Sequence, residues 1–353
     1  MSSQGEHAGA GPGDQRHGFD EAALADWLAA NVDGFEGAVT VSRFAGGQSN
    51  PTYRLDTPSR SYVLRRKPSG ILLPSAHAVD REFRVITALH KAGFPVARPY
   101  ALCRDDAVIG SMFYVMEMVE GRVFWDGALP GCTPQERRAI YESKITALAQ
   151  LHQLSPEAVG LGDFGKPGNY FARQVERWSR QYRASETDPI PAMDRLIEWL
   201  PRTVPVQERT SVVHGDYRLD NMIFAADRPD VLAVLDWELS TLGDPLADFS
   251  YLLMSWVLPA NGRSGLSGLD LPALGIPTQD EAVALYCGLT GRDGVPDLNW
   301  YFAYSLFRAS AISQGIAGRV RDGTAASAEA VQAGAAARPY AERDLAFAER
   351  AGA

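Results

Sequence analysis

Two short apolar runs, Met222 to Ala225 and Val231 to Leu235, stand on either side of the polar turn Ala226-Asp227-Arg228-Pro229-Asp230. Apolar runs of that length, split by Pro and Asp, read as an antiparallel hairpin. Nothing else in the 353 residues constrains the chain as much, because a hairpin decides which residues meet at its open end. A turn centred between Arg228 and Pro229 sets Asn221 opposite Asp236, with Cα atoms roughly 4.5–5.5 Å apart. Asp216 lies just before Asn221, on the loop His214-Gly215-Asp216-Tyr217-Arg218-Leu219-Asp220 that feeds the same end. Three polar side chains are thus predicted to share one small volume.

An amide oxygen and a carboxylate at that spacing suit Mg²⁺, which takes one or two protein oxygens and fills its shell with phosphate and water. A further acid beside a phosphate-binding metal is placed to accept a hydroxyl proton. Each piece has a plain alternative: His-Gly-Asp is a serviceable turn, and Asp236 could cap a helix beginning at Trp237. The whole spacing favours a site.

The rest of the chain frames the hairpin. Residues 1–18, rich in Gly, Ser and polar side chains, predict a disordered tail and not a signal peptide or anchor. A helix is expected from Asp20, with Ala23, Leu24, Trp27 and Leu28 at helical spacing. Strands are expected over 38–44, 52–56, 62–67 and 112–119. Residues 78–90 carry Val79, Phe83, Ile86 and Leu89 on one helical stripe. After Glu120-Gly121 helices dominate, apart from strand pieces around 211–236. The expected fold is α+β and bilobal, a β-rich N-terminal lobe over 19–120 and a larger, mostly helical lobe over 121–353.

His214-x-Asp216-x-x-x-x-Asn221 followed by Asp236 resembles the catalytic and metal-binding motifs of the aminoglycoside phosphotransferase family, relatives of the protein kinases. Gly243-Asp244-Pro245-Leu246-Ala247-Asp248 is similar to the same family, and the resemblance runs from about Thr40 to about Arg319. It implies a protein-kinase-like fold, with ATP and Mg²⁺ as cofactors. It also implies that Asp216 takes the hydroxyl proton, that Asn221 and Asp236 hold the metal, and that His214 shapes the loop. Asp248 would tie that loop to a core helix.

Other parts fall in the family's order. Gly46-Gly47-Gln48-Ser49-Asn50 lies between two strands, where a nucleotide-covering loop belongs; glycines let N–H groups approach phosphate oxygens. Arg65 stands where kinases carry a strand Lys, and it can neutralise the α/β-phosphates with a planar fork. Lys67 shares its face and competes for the role. Glu82, on the inward stripe of its helix, is the expected partner of Arg65, since an unpaired carboxylate there would be costly. The strand ending Met116-Glu117-Met118-Val119 resembles a hinge, which implies adenine contacts from the Glu117 carbonyl and the Val119 N–H. Arg218 matches a phosphate-contacting position, and a surface ion pair suits it equally. Gly160-Leu161-Gly162-Asp163-Phe164-Gly165-Lys166-Pro167 imitates three motifs, yet no strand precedes it and Pro167 replaces the metal-binding hydroxyl, so it reads as a loop.

The predicted partners are ATP and a small hydroxylated acceptor, bound by the helical lobe between about Gly121 and Arg202 and after Ser250. The stretches around Val63 to Gly70, Leu72 to Val79 and Phe307 to Arg319 are similar to the kinase-like domain fused to acyl-CoA dehydrogenases in animals and free-standing in bacteria. That implies a hydroxyacyl or hydroxyacyl-CoA acceptor ahead of an aminoglycoside; here an Ala-rich helical segment closes the chain, and no dehydrogenase domain is expected to follow. The rivals are a nucleotide-binding pseudokinase with a regulatory or scaffold role, left open by Arg65, and a metal-dependent hydrolase. A net charge of −9 turns away nucleic acid and anionic membranes. Three scattered cysteines form no disulfide or zinc pattern and suit the cytoplasm. The longest apolar stretch, Phe249 to Ala260, falls short of the ~20 residues of a membrane span. A homodimer is compatible with all of this.

Overall fold

The computed structural model describes residues 18–44, 50–68, 78–325 and 327–353. Helix α1 (Glu21–Asn31) opens where Asp20 accepts the N–H groups of Ala22 and Ala23 at 2.8 and 3.2 Å. Strands β1 (Thr40–Arg43), β2 (Thr52–Asp56) and β3 (Ser61–Arg66) follow, then helix α2 (Val79–Lys91) and strand β4 (Pro99–Cys103). The four-residue helix α3 (Asp106–Ile109) leads into β5 (Phe113–Glu117). The five strands form one antiparallel sheet in the order β1-β2-β3-β5-β4. β4 has no counterpart among the strands expected from sequence; it is an edge strand that begins with a proline, and its side chains are mostly half-buried.

Strand alternation gives the sheet two faces. Leu55, Tyr62, Leu64, Phe113 and Val115 pack beneath Leu24 and Leu28 of α1, each such burial contributing ~1.5–3 kcal/mol. The opposite face of β3 carries Val63 and Arg65, with Tyr114 of β5 beside Arg65 in the ladder. That face meets α2, whose Val79, Val85, Ile86 and Leu89 belong to the core of the rear lobe. The sheet thus aims Arg65 toward the second lobe.

In the rear lobe come helices α4 (Pro134–Gln153), α5 (Tyr170–Ser185) and α6 (Pro191–Trp199). Four short strands follow: β6 (Ser211–Val213), β7 (Met222–Phe224), β8 (Val231–Val234) and β9 (Thr241–Gly243). β6 pairs with β9 and β7 with β8. Helices α7 (Leu246–Val257), α8 (Leu271–Leu274), α9 (Gln279–Thr290), α10 (Leu298–Arg321), α11 (Ala328–Ala335) and α12 (Ala337–Arg350) complete it. The 24-residue α10 is the axis, packed by α5, α7, α11 and α12. Among the described residues no helix is long and apolar enough to cross a membrane.

The connector between lobes lies on β7. Arg122 and Phe224 exchange backbone hydrogen bonds at 2.7 and 2.9 Å, and a Cβ at Gly121 would overlap the Phe224 carbonyl. The Arg122 guanidinium donates to the Ala225 and Arg228 carbonyls at 2.9 and 3.1 Å.

Candidate active site

One buried carboxylate holds the loop that leaves β6. Asp248, in the first turn of α7, accepts the N–H groups of His214 at 2.5 Å and Gly215 at 2.8 Å. His152 Nε2 lies 3.5 Å away. Burial is the strongest influence on Asp248 and pushes its carboxyl up; His152, His214 and the Gly215 N–H together outweigh it and hold the group below the usual carboxylate range. Gly215 has φ 86°, and a Cβ there would press on the Leu239 carbonyl. The His214 ring closes the other side of the loop, with Nε2 at 2.8 Å from the Leu235 carbonyl and Nδ1 accepting the Asp216 N–H at 3.1 Å. A carbonyl only accepts and an amide N–H only donates, so the proton sits on Nε2.

The loop presents Asp216. Its carboxylate accepts the Asn221 side-chain N–H at 3.1 Å, meets Arg218 Nε at 3.1 Å and lies near enough to the buried Tyr251 hydroxyl to raise that phenol above its usual range. Asn221 Nδ2 also donates to the Asp216 carbonyl at 2.9 Å. Arg218 reaches Asp220 at 3.3 Å as well, so it is ion-paired, with Asp216 itself as one partner.

The hairpin forms as expected, but its register differs by one residue. Asn221 does not face Asp236: Met222 pairs with Val234 and Ile223 with Ala233, and the Leu235 N–H donates to the Asn221 carbonyl at 2.8 Å. The cause is local. The Ala225 N–H closes the turn on the Asp230 carbonyl, which centres it a residue earlier than expected, and a bulge between Ile223 and Phe224 leaves Leu232 without an opposite number. Asp236 therefore lies one step beyond the ladder, at φ 65°, ahead of the short 3₁₀ turn Trp237–Leu239. Its side chain makes no cap hydrogen bond to that turn, so the capping alternative is not what the residue does.

Arg65 is what Asp236 meets. Arg65 Nη2 is 2.7 Å from Asp236 Oδ1 and 3.6 Å from Glu238, while its Nε lies 3.0 Å from Glu82. The Nε contact is close in distance without hydrogen-bond alignment. Burial pulls the guanidinium down, and Glu82 first among its neighbours raises it above its ordinary value. Burial pushes the Glu82 carboxyl up to about 7, against the pull of Arg65. No carboxylate pairs with Lys67 among the described residues; its backbone is tied to Met112 and Ser111.

Could the hairpin end hold a divalent ion? Asn221 spends its N–H on Asp216, and Asp236 spends one oxygen on Arg65. That leaves an amide oxygen and a carboxylate oxygen, a hard donor pair suited to Mg²⁺ with phosphate and water filling the shell. Among the described residues no group of three His, Cys, Asp or Glu side chains gathers for a metal.

Of the other predicted residues, Asn50 reaches this cluster through Glu238, and Glu117 and Val119 lie at the end of β5 and beyond it. Glu117 ends β5, exposed, its N–H donating to the Arg98 carbonyl at 2.8 Å; Val119 follows two residues on, half-buried. Asn50 is buried and donates to Glu238 at 3.5 Å. Gly46, Gly47, Gln48 and Ser49 lie outside the described residues, as does the tail up to residue 17. The motif-like segment Gly160 to Pro167 is a loop whose Asp163 pairs with Arg84 and whose Phe164 lies under Arg81. Sequence reasoning passed over Glu238, Tyr251 and Arg308. Glu238 had a signal, two residues after Asp236 in Asp-Trp-Glu; the other two reach the loop only through tertiary packing.

The phosphotransferase enzyme family matches residues 40–272. Mouse acyl-CoA dehydrogenase family member 10 is 47% identical over 318 residues, 90% of this chain and 30% of that protein. Mouse acyl-CoA dehydrogenase family member 11 is 41% identical over 342 residues, 95% of this chain and 44% of that protein. The chain spans less than half the length of these curated relatives. A solved Ralstonia eutropha structure, classed provisionally as an aminoglycoside phosphotransferase, shares 52% identity at TM-score 0.87, over 94% of this chain and 99% of that one. With the family match running unbroken through Arg65, Glu82, Asp216, Asn221, Asp236 and Asp248, on a bilobal kinase-like fold, this chain belongs to the phosphotransferase enzyme family.

Proposed function

We propose that the protein is an ATP- and Mg²⁺-dependent phosphotransferase that moves the γ-phosphate onto a hydroxyl of a small molecule, ATP + R–OH → R–O–phosphate + ADP + H⁺. The observation that carries the reading is the meeting of Asp216, held to Asn221 at 3.1 Å, with a hairpin end whose Asp236 is met by Arg65 from the other lobe. Asp216 aligns the hydroxyl and accepts its proton. Asn221 and Asp236 hold the Mg²⁺, which when bound neutralises triphosphate charge. Arg65, oriented by Glu82, faces the α/β-phosphates, and residues 46–50 cover them. The Glu117 carbonyl and Val119 N–H meet adenine, and Arg218 steadies the transferred group. Residues 19–120 act as the nucleotide-binding lobe and 121–353 as the catalytic and acceptor-binding lobe, in the cytoplasm. Such catalysis is mainly alignment and charge neutralisation.

For the acceptor, a hydroxyacyl or hydroxyacyl-CoA compound is favoured over an aminoglycoside, because the relatives at 47% and 41% identity are acyl-CoA dehydrogenase family members. The test is a screen of hydroxylated metabolites read as Mg²⁺-dependent ADP formation and product mass. Asp216→Asn should keep Mg-ATP binding and lose roughly 10²–10⁴-fold in turnover. Wild-type rates in that variant would remove Asp216 from the role.

A further inference from the structure

Next to Asp216 lies a group of cations and donors that the proposed chemistry does not use. The Tyr251 side chain lies close to the Asp216 carboxylate, and the Arg308 guanidinium lies 5.5 Å from the Tyr251 ring centroid. One Arg308 nitrogen donates to the Gly215 carbonyl at 2.7 Å. The same guanidinium lies 5.7 Å from the Trp178 ring, and Arg177 covers that indole at 5.2 Å. Among the described residues neither arginine has an ion-pair partner. Arg218 and Arg65, by contrast, each meet a carboxylate.

A second, independent observation points the same way. The Trp178 Nε1–H and the Tyr304 hydroxyl are 8% and 2% exposed by residue, and neither has a hydrogen-bond partner. They lie beside one another and beside Tyr170, near enough to interact but not aligned to bond. Buried donors left unmade are costly and rare, and they call for an oxygen to complete them. Two guanidiniums and two neutral donors around one indole match anionic oxygens, and a cation would be repelled there. Were Arg308 only an anchor for the Gly215 carbonyl, it would need one nitrogen and no companion in Arg177.

We infer that Arg308, Arg177, Trp178 and Tyr304 form an acceptor subsite for an anionic oxygen group, a carboxylate or a phosphate, so that the enzyme selects acidic hydroxylated acceptors over cationic ones. Its role in acceptor choice rests on the phosphotransferase reading; anion binding does not. Arg308 and Arg177 are specificity-determining residues here, and Asp216 remains the group that meets the hydroxyl.

The test uses the full chain and a matched three-carbon set: glycerate, glycerol 3-phosphate, glycerol and 3-aminopropane-1,2-diol. Binding is followed by tryptophan fluorescence, with Trp178→Phe identifying the reporter. One or both anions should bind at least tenfold more tightly than glycerol, and which of them does so separates carboxylate from phosphate. The aminodiol should bind no better than glycerol. Arg308→Gln and Arg177→Gln should each erase the preference; Arg177 is exposed and outside the loop, so its variant decides the matter if Arg308→Gln fails to fold. Equal affinity across the set, no binding of either anion, or a preference surviving both substitutions overturns the subsite. Mg-ATP binding is measured in parallel, and its absence with anion preference intact counts against the transfer reading alone.

Discussion

Asp248→Ala should be the most damaging single change outside the reacting atoms. The wild-type carboxylate is almost wholly enclosed and accepts two backbone N–H groups, from His214 at 2.5 Å and Gly215 at 2.8 Å. Hydrogen bonds to a charged acceptor contribute ~1.5–3 kcal/mol each, and removing the acceptor strands both donors in the interior. The expected loss is therefore ~3–6 kcal/mol, a large part of the ~5–15 kcal/mol that separates a folded domain from its unfolded chain. Asp248→Asn keeps one acceptor oxygen and turns an NH₂ toward the second donor, so about half that loss is expected. Urea unfolding supplies the free energies, and turnover supplies the functional consequence, because the same two bonds set the direction of Asp216. The pH dependence has a definite sign. Asp248 is held below the ordinary carboxylate value of 3.8, so its contribution is complete above that value and fades as the pH falls through the lower folded one. The gap between wild type and the Ala variant should narrow in acid. An Ala variant within ~1 kcal/mol of wild type at neutral pH would refute the reasoning.

Asp236→Ala should abolish the Mg²⁺-dependent part of nucleotide binding, which calorimetry with and without the ion resolves; retained metal dependence would place the ligand elsewhere. Glu82→Gln should gain stability relative to wild type as the pH rises from 4.5 to about 7, because the wild-type carboxyl is raised from 4.5 to about 7 and its ionisation in the folded state is penalised over that window. The relative gain is at most ~3 kcal/mol; a pH-independent difference between the two proteins would show that Arg65 fully offsets burial.

Much of this architecture follows from patterns that local physics makes visible. Asp20 before a helical stripe marked α1, and the inward position of Glu82 on an apolar stripe demanded a cation, which Arg65 supplies at 3.0 Å. The hairpin was legible as a hairpin, whereas its register was not: a turn closed at Ala225–Asp230 and an extra Leu232 are choices among near-equal backbone states that the apolar pattern does not distinguish. β4 escaped because Pro99 to Cys103 is short and at the sheet edge. Tyr251 and Arg308 reach the Asp216 loop from α7 and α10, Arg308 at the Gly215 carbonyl, and no spacing along the chain encodes a contact made by the packing of two distant helices.

The bonded crossing of Arg122 over Phe224 determines where the molecule can flex. Because the connector is fastened to the strand that follows Asn221, any rotation of the front sheet has its axle upstream of Gly121, within Glu117 to Glu120. Motion about that axle displaces the outer edge of the sheet furthest, while the ground beneath Asn221 stays still. If adenine meets Glu117 and Val119 as proposed, a purine at the pivot would act as a shim, setting the angle between the halves before any phosphate is moved.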